Sequence, residues 1–230
     1  MTAGYQIALP TPWERIPIGT ATKARVAEIA GRAVSRVTGK ISPDEAAKLR
    51  ITLEQQLLRQ LAVAERAGAV DFYLPTDLVH GMVLSASFTV SVVIPDAMAP
   101  AGLATSVMAS LVAGDEASEP VSVGDTVWIR TDRVTSAPTP EDVESAPSQD
   151  AALAAESARE LLAAGDEDGD EAITGARTVE YTTVVPSDER YWLLVTFTTL
   201  GDGDPQGELA DLLVELFDAI MSTWRWETAE

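Results

Sequence analysis

Cysteine is absent and histidine occurs once, at His80. That inventory excludes disulfides, thiolate nucleophiles and cysteine-built zinc sites, and any Ser-His-Asp arrangement would depend on His80 alone. Basic residues are scarce too. Sixteen Lys plus Arg stand against 36 Asp plus Glu, a net charge of −20 over 230 residues, which opposes polyanions and argues against nucleic acid as a partner. Long apolar runs are missing: Gly81 to Met98 is broken by Ser85, Ser87, Thr89, Ser91 and Pro95 and alternates with period two, as a strand does. The opening nineteen residues show neither a basic n-region nor a long apolar h-segment. The expectation is a cytoplasmic protein with no transmembrane segment. No cofactor and no metal are expected either. Counted from Asp166, the acidic run places Glu171 where a calcium loop needs glycine and Arg177 where it needs a bidentate glutamate.

What is present is ordinary globular material, 46% hydrophobic and 23% charged, unevenly arranged. Residues 1–70 hold ten basic and six acidic side chains; the remainder hold six and thirty. In the basic part, Val26, Ile29, Ala30, Ala33 and Val37 recur at helical spacing, with Arg25, Arg32 and Arg36 largely off the stripe. A second helix is announced by Ser42-Pro43-Asp44-Glu45, an N-cap hydroxyl, a first-turn proline and a glutamate three residues after the cap. Leu49, Leu53, Leu57, Leu61 and Ala64 form its ridge, and Gly68 its stop. Residues 20–68 therefore read as a helical pair.

Strand patterns follow. Val70–Leu74 is halted by Pro75, and Met82, Leu84, Ala86, Phe88, Val90, Val92 and Ile94 alternate with a mainly hydroxyl-bearing set. Pro100 opens a helix closed by Gly114, and Val127–Val134 resumes the sheet. Residues 135–173, with three prolines and then acidic clusters, read as a disordered insertion in which 151–164 has helical potential. Arg177–Val185 and Arg190–Leu200 read as a hairpin whose second strand, bulky on both faces, lies centrally. Residues 206–226 read as an amphipathic helix with Leu209, Leu212, Leu213, Leu216, Phe217, Ile220, Met221 and Trp224 on one stripe. The expected fold is a single α+β domain, an antiparallel β-sheet packed by helices.

The opening Leu9-Pro10-Thr11-Pro12-Trp13-Glu14-Arg15-Ile16-Pro17 and the closing Phe217-Asp218-Ala219-Ile220-Met221-Ser222-Thr223-Trp224-Arg225-Trp226, with the strand order, resemble the edges of a PsbP-like α/β sandwich. That fold is shared by small binding proteins and secretion-effector chaperones. The helical pair departs from the early strand pair usual there, and the resemblance carries over no binding residue. The Ala-rich, Arg-over-Lys, acidic composition also resembles that of high-GC actinobacterial proteins.

No catalytic residue is expected. His80 stands three residues after Asp77, but the nearby serines lie on strand positions without a nucleophile turn. The expected function is a non-enzymatic, protein-binding adaptor or chaperone-like domain, secretion-associated by that resemblance, whose partner is another protein or a second copy. The candidate contacts are Trp128 and Trp192 with Ser85, Ser87 and Thr89, on a sheet face that the C-terminal helix leaves free. The alternative is an enzyme or small-ligand binder with a pocket between sheet and C-terminal helix.

Overall fold

The computed structural model describes residues 4–36, 41–79, 81–94, 108, 112–136 and 175–227. Along the chain come β1 (Tyr5–Gln6), β2 (Trp13–Pro17), α1 (Thr22–Ser35), α2 (Pro43–Arg66), β3 (Ala69–Pro75) and β4 (Ser85–Val93). They are followed by β5 (Ser118–Val123), β6 (Thr126–Ser136), β7 (Gly175–Val184), β8 (Trp192–Gly201), α3 (Glu208–Ser222) and β9 (Arg225–Trp226). The result is an α+β protein. Seven strands form one sheet in the order β2-β3-β4-β8-β7-β6-β5, every neighbour antiparallel, while β1 and β9 pair separately. β8 is the middle strand, as its two-sided bulk predicts.

Local chemistry explains the element boundaries. Glu45 N–H donates to Ser42 Oγ at 3.3 Å and Ser42 N–H donates to Glu45 Oε2 at 2.8 Å, a reciprocal capping box that closes the N-terminus of α2. Gly124, at φ 59°, supplies the left-handed residue that turns β5 into β6, with Val123 opposite Thr126. Pro120 is tolerated in β5 because that strand is an edge. β2 and β5 went unread in the sequence, the first because prolines crowd it and the second because Ser118-Glu119-Pro120 lacks apolar alternation.

The sheet carries a different core on each face. On one, Phe88, Val90, Val179, Val195 and Phe197 meet Leu213, Phe217 and Met221 of α3. Phe217 stacks on Phe197 at 4.8 Å between ring centroids and lies 5.5 Å from Phe88, which itself stacks on Tyr73 at 4.3 Å. On the other face, α1 and α2 cover only the β2–β3 end, where Ile16, Val26, Ile29, Leu61 and Phe72 form a smaller cluster. The face opposite α3 is therefore not wholly free.

Two boundaries differ from the sequence reading. α3 ends at Ser222, and Trp226 belongs to β9 rather than to the helix. Its apolar stripe is also narrower: at about 100° per residue, Leu212 falls about 140° round the helix from Phe217, and it is 54% exposed. The apolar face of β4 shortens likewise. Ala86, Phe88 and Val90 are buried, but Met82 and Ile94 lie outside the strand and are exposed. His80, most of the 135–173 segment and most of the helix read after Pro100 lie outside the described residues.

Candidate functional site

The sequence-predicted contacts separate. Strand register puts Ser87 beside Thr198, Thr89 beside Thr196, and Val93 beside Trp192, so these side chains share the face opposite α3. Ser87 and Thr89 are half-buried, Ser85 is exposed next to a bulge, and Trp192 is buried. Trp128 instead points the other way. It is fully buried against Trp224 at 5.3 Å, Trp226 at 6.3 Å and Tyr181 at 6.3 Å, in the core under α3. The expectation that Trp128 and Trp192 share a hydroxyl-bearing face is corrected by this register: residues an even number apart from Trp192 face the hydroxyls, and Trp128 aligns with the Leu193–Val195 side.

Between the sheet and α3, where the alternative pocket was expected, the described residues pack into a core. The sheet-to-α3 interface is filled by Trp128, Tyr181, Phe197, Phe217 and Trp224. Charged groups on that side are tied to one another, whereas the buried Trp128 and Trp224 indole N–H groups find no partner among the described residues. Asp71, only 2% exposed, accepts two bonds from Arg15, at 2.6 and 2.8 Å, and one from Tyr5 Oη, which in turn contacts Tyr73 Oη at 2.8 Å. Burial pushes the Tyr5 phenol well above its ordinary range and the Tyr73 phenol up to about 12. Across the sheet, Arg177 bridges Asp132, at 2.9 Å through each of two nitrogens, to Asp211, and Arg130 donates to Asp218. Burial alone would raise Asp132, but the bonds from Arg177 and the Arg177 and Arg130 charges hold it below the carboxylate range.

The open surface lies elsewhere. Along α2 the leucine ridge runs from buried to bare: Leu61 is in the core, Leu57 and Leu58 are partly covered, and Leu49 is exposed. Beside its middle, Leu53 and Leu57 of α2, Ala30 and Ala33 of α1, and Leu74 and Val83 of the sheet side enclose an apolar groove of about 510 Å³. Val83 is 77% exposed, and Leu78 and Met82 beside it are also bare. One end of the groove is closed by Arg36, which donates to the Thr76 carbonyl at 2.7 Å and pairs with Asp77 at 3.0 Å. Two carboxamides, Gln56 and Gln60, line the α2 wall and make no hydrogen bond among the described residues.

The groove is held open by a polar brace. Glu14 of β2 accepts from Arg25 and Arg32 of α1 and from the Thr76 hydroxyl at 2.6 Å, fixing α1 against the chain that forms the far wall. Burial would raise the Glu14 carboxyl, but the Thr76 and Arg32 bonds outweigh it and lower the pKa. A second, polar cleft of about 350 Å³ lies between β5, β6 and β7. Its groups are already matched: Arg133 with Asp115, Ser118 with Thr131 at 2.8 Å, and Glu180 with Thr182 and Thr196 at 3.2 and 3.3 Å.

Sequence reading missed Gln56, Gln60 and Val83. The available signal was α2 itself: Leu49, Ile51, Leu53, Leu57, Leu58 and Leu61 spread over more than one stripe, more than a two-helix seam consumes.

No family model matches the chain, and no curated protein does. Among solved structures, it is similar to a crystal structure at 1.50 Å of a protein from Bacteroides thetaiotaomicron, with a TM-score of 0.38 and 8% identity. That alignment covers 70% of this chain, and the chain spans 39% of the other protein's length. No helix among the described residues is long and apolar enough to cross a membrane.

Proposed function

We propose that this protein is a non-enzymatic protein-binding module, an adaptor or chaperone-like domain acting in the cytoplasm, and that the groove between the N-terminal helical pair and the β3–β4 connection is where it grips its partner. The observation that carries this reading is an open apolar groove, walled by half-covered leucines, on a protein whose other apolar face is closed by aromatic packing. Ser87 and Thr89 extend the surface at its border, since Thr89 pairs with Phe72 beneath the helices. A PsbP-like architecture fits a binding role of this kind, with the partner held against the helices and the adjoining sheet rather than between sheet and α3.

A photo-crosslinking residue placed at Val83 or Leu53, with Leu212 on the exposed back of α3 as the control position, tests the proposal in living cells. The expected result is a discrete protein adduct from the groove positions and none from position 212. Adducts of equal yield at all three, or at none, would overturn it.

A further inference from the structure

We infer that the groove receives a short extended peptide segment with an uncharged aliphatic core, its backbone aligned along α2 and held by the Gln56 and Gln60 carboxamides. This rests on the protein-binding reading above and names the class of segment bound.

The spacing supports a strand as occupant. Four residues along a helix advance about 6 Å, whereas equivalent backbone groups on one side of an extended chain recur every two residues, about 6.7 Å apart. Gln56 and Gln60 thus fall nearly in step with alternate residues of an extended segment, and each carboxamide offers both donors and an acceptor to backbone N–H and C=O. Alternate side chains of that segment would point into the apolar floor near Leu53, Leu57 and Ala33, against Leu74 and Val83. This is strand recognition in which side-chain amides take the place of a sheet edge.

A bound helix fits less well. Its backbone groups are spent internally, so it would press both carboxamides against apolar surface without partners, and a desolvated, unpaired amide is unfavourable. Charge matching points the same way. Among the described residues lining the groove, the charged ones, Arg36 and Asp77, are paired with each other, leaving a neutral slot on a protein of net charge −20. An acidic segment would be repelled by the whole, and a basic one would find no anion free at the slot.

The test uses the full chain and three fluorescein-labelled peptides read by anisotropy: Gly-Ser-Val-Leu-Val-Leu-Ser-Gly, the same peptide N-methylated at alternate amides, and a stapled amphipathic helix of equal apolar content. Saturable binding of the first is expected, weakened at least tenfold by N-methylation and at least tenfold by the double variant Gln56→Leu with Gln60→Leu, whose melting temperature stays unchanged because both side chains are half-exposed. Val83→Glu, remote from the core, should abolish binding in a chain that still folds. Tighter binding of the stapled helix, or indifference of the extended peptide to the glutamine variants, would overturn the inference. So would a dimer in light scattering that Val83→Glu dissolves, or binding seen only after residues 137–174 are replaced by a short turn, which would give the slot to a second copy or to the chain's own segment. Failure of all three peptides alongside a persistent crosslink from Val83 would overturn the extended-strand assignment while leaving the protein-binding reading standing.

Discussion

α2 is 24 residues long and buries two side chains, Ala46 and Leu61, whereas α3 is 15 residues long and buries six. The two helices flank the same sheet, and the difference tells which is structural closure and which is exposed scaffold. α3 is apolar enough to need cover all along one side, and the sheet supplies it with Phe88, Val195 and Phe197. α2 is tethered at its C-terminal end by Leu61, is closed at its N-terminus by a self-contained capping box, and leaves its intermediate leucines half-covered. A helix whose ends are secured in this way persists without burying its middle, which is what an open groove requires.

The comparison breaks most visibly at Phe217. Phe217→Ala removes a ring that touches Phe88, Tyr181 and Phe197, and a loss of about 3–5 kcal/mol is expected, measured by urea unfolding. Asp71→Asn comes next. It withdraws the charge that Arg15 and Tyr5 share, with an expected cost of about 2 kcal/mol and loosening of β1 seen as faster amide exchange. On the opposite side the effects should shrink. Ser42→Ala removes the capping box, at about 1 kcal/mol, read as lower helicity by circular dichroism. Leu53→Ser in the groove should change stability by less than about 1 kcal/mol while eliminating peptide binding. A larger stability loss at Leu53 than at Phe217 would invert the assignment of the two helices.

The pH dependence sharpens the same contrast. Glu14 and Asp132 titrate below the ordinary carboxylate range when folded, so their contribution is present above the unfolded values, about pH 4, and is lost as pH falls through the lower folded values. Tyr5 and Tyr73 are raised by burial, so their contribution is complete below about pH 10 and disappears as pH rises toward and past their folded values. Denaturation monitored from about pH 2 to about pH 12 should show a plateau between two declining limbs. In Tyr5→Phe the alkaline limb should flatten and the acid limb stay.

Much of the architecture was legible because it rests on local, periodic signals. The Ser42 capping box, the alternation at Phe88 and Val90, the two-sided β8 and the α3 stripe each act within one element. The β5–β6 hairpin was not read, because Ser118-Glu119-Pro120 hides the first strand although Gly124-Asp125 stands between the two. Nor was the site. Whether Trp128 faces α3 or the hydroxyl rows depends on strand register across β6, β7 and β8, which composition does not encode. The groove depends on how far α1 and α2 reach over the sheet. Gln56 and Gln60 carry no signal of their own in the sequence, and only the fold places Leu74 and Val83 in the same groove.

Where β6 meets β7, Ser136 stands opposite Gly175, so residues 137–174 leave and re-enter the sheet at a single rung. Replacing them with a two-residue turn should keep the β6–β7 pairing, read as an unchanged β-sheet signal in circular dichroism.

The indoles of Trp128, Trp224 and Trp226 lie 5.3 to 6.3 Å apart, and Trp224 stacks on Tyr5 at 4.3 Å. Transition dipoles that close and that fixed couple, so the native chain should carry an exciton couplet in its circular dichroism and a blue-shifted emission. Because the cluster joins the β1–β9 pair to the main sheet, that optical signature reports on whether this clasp is closed, with no label attached.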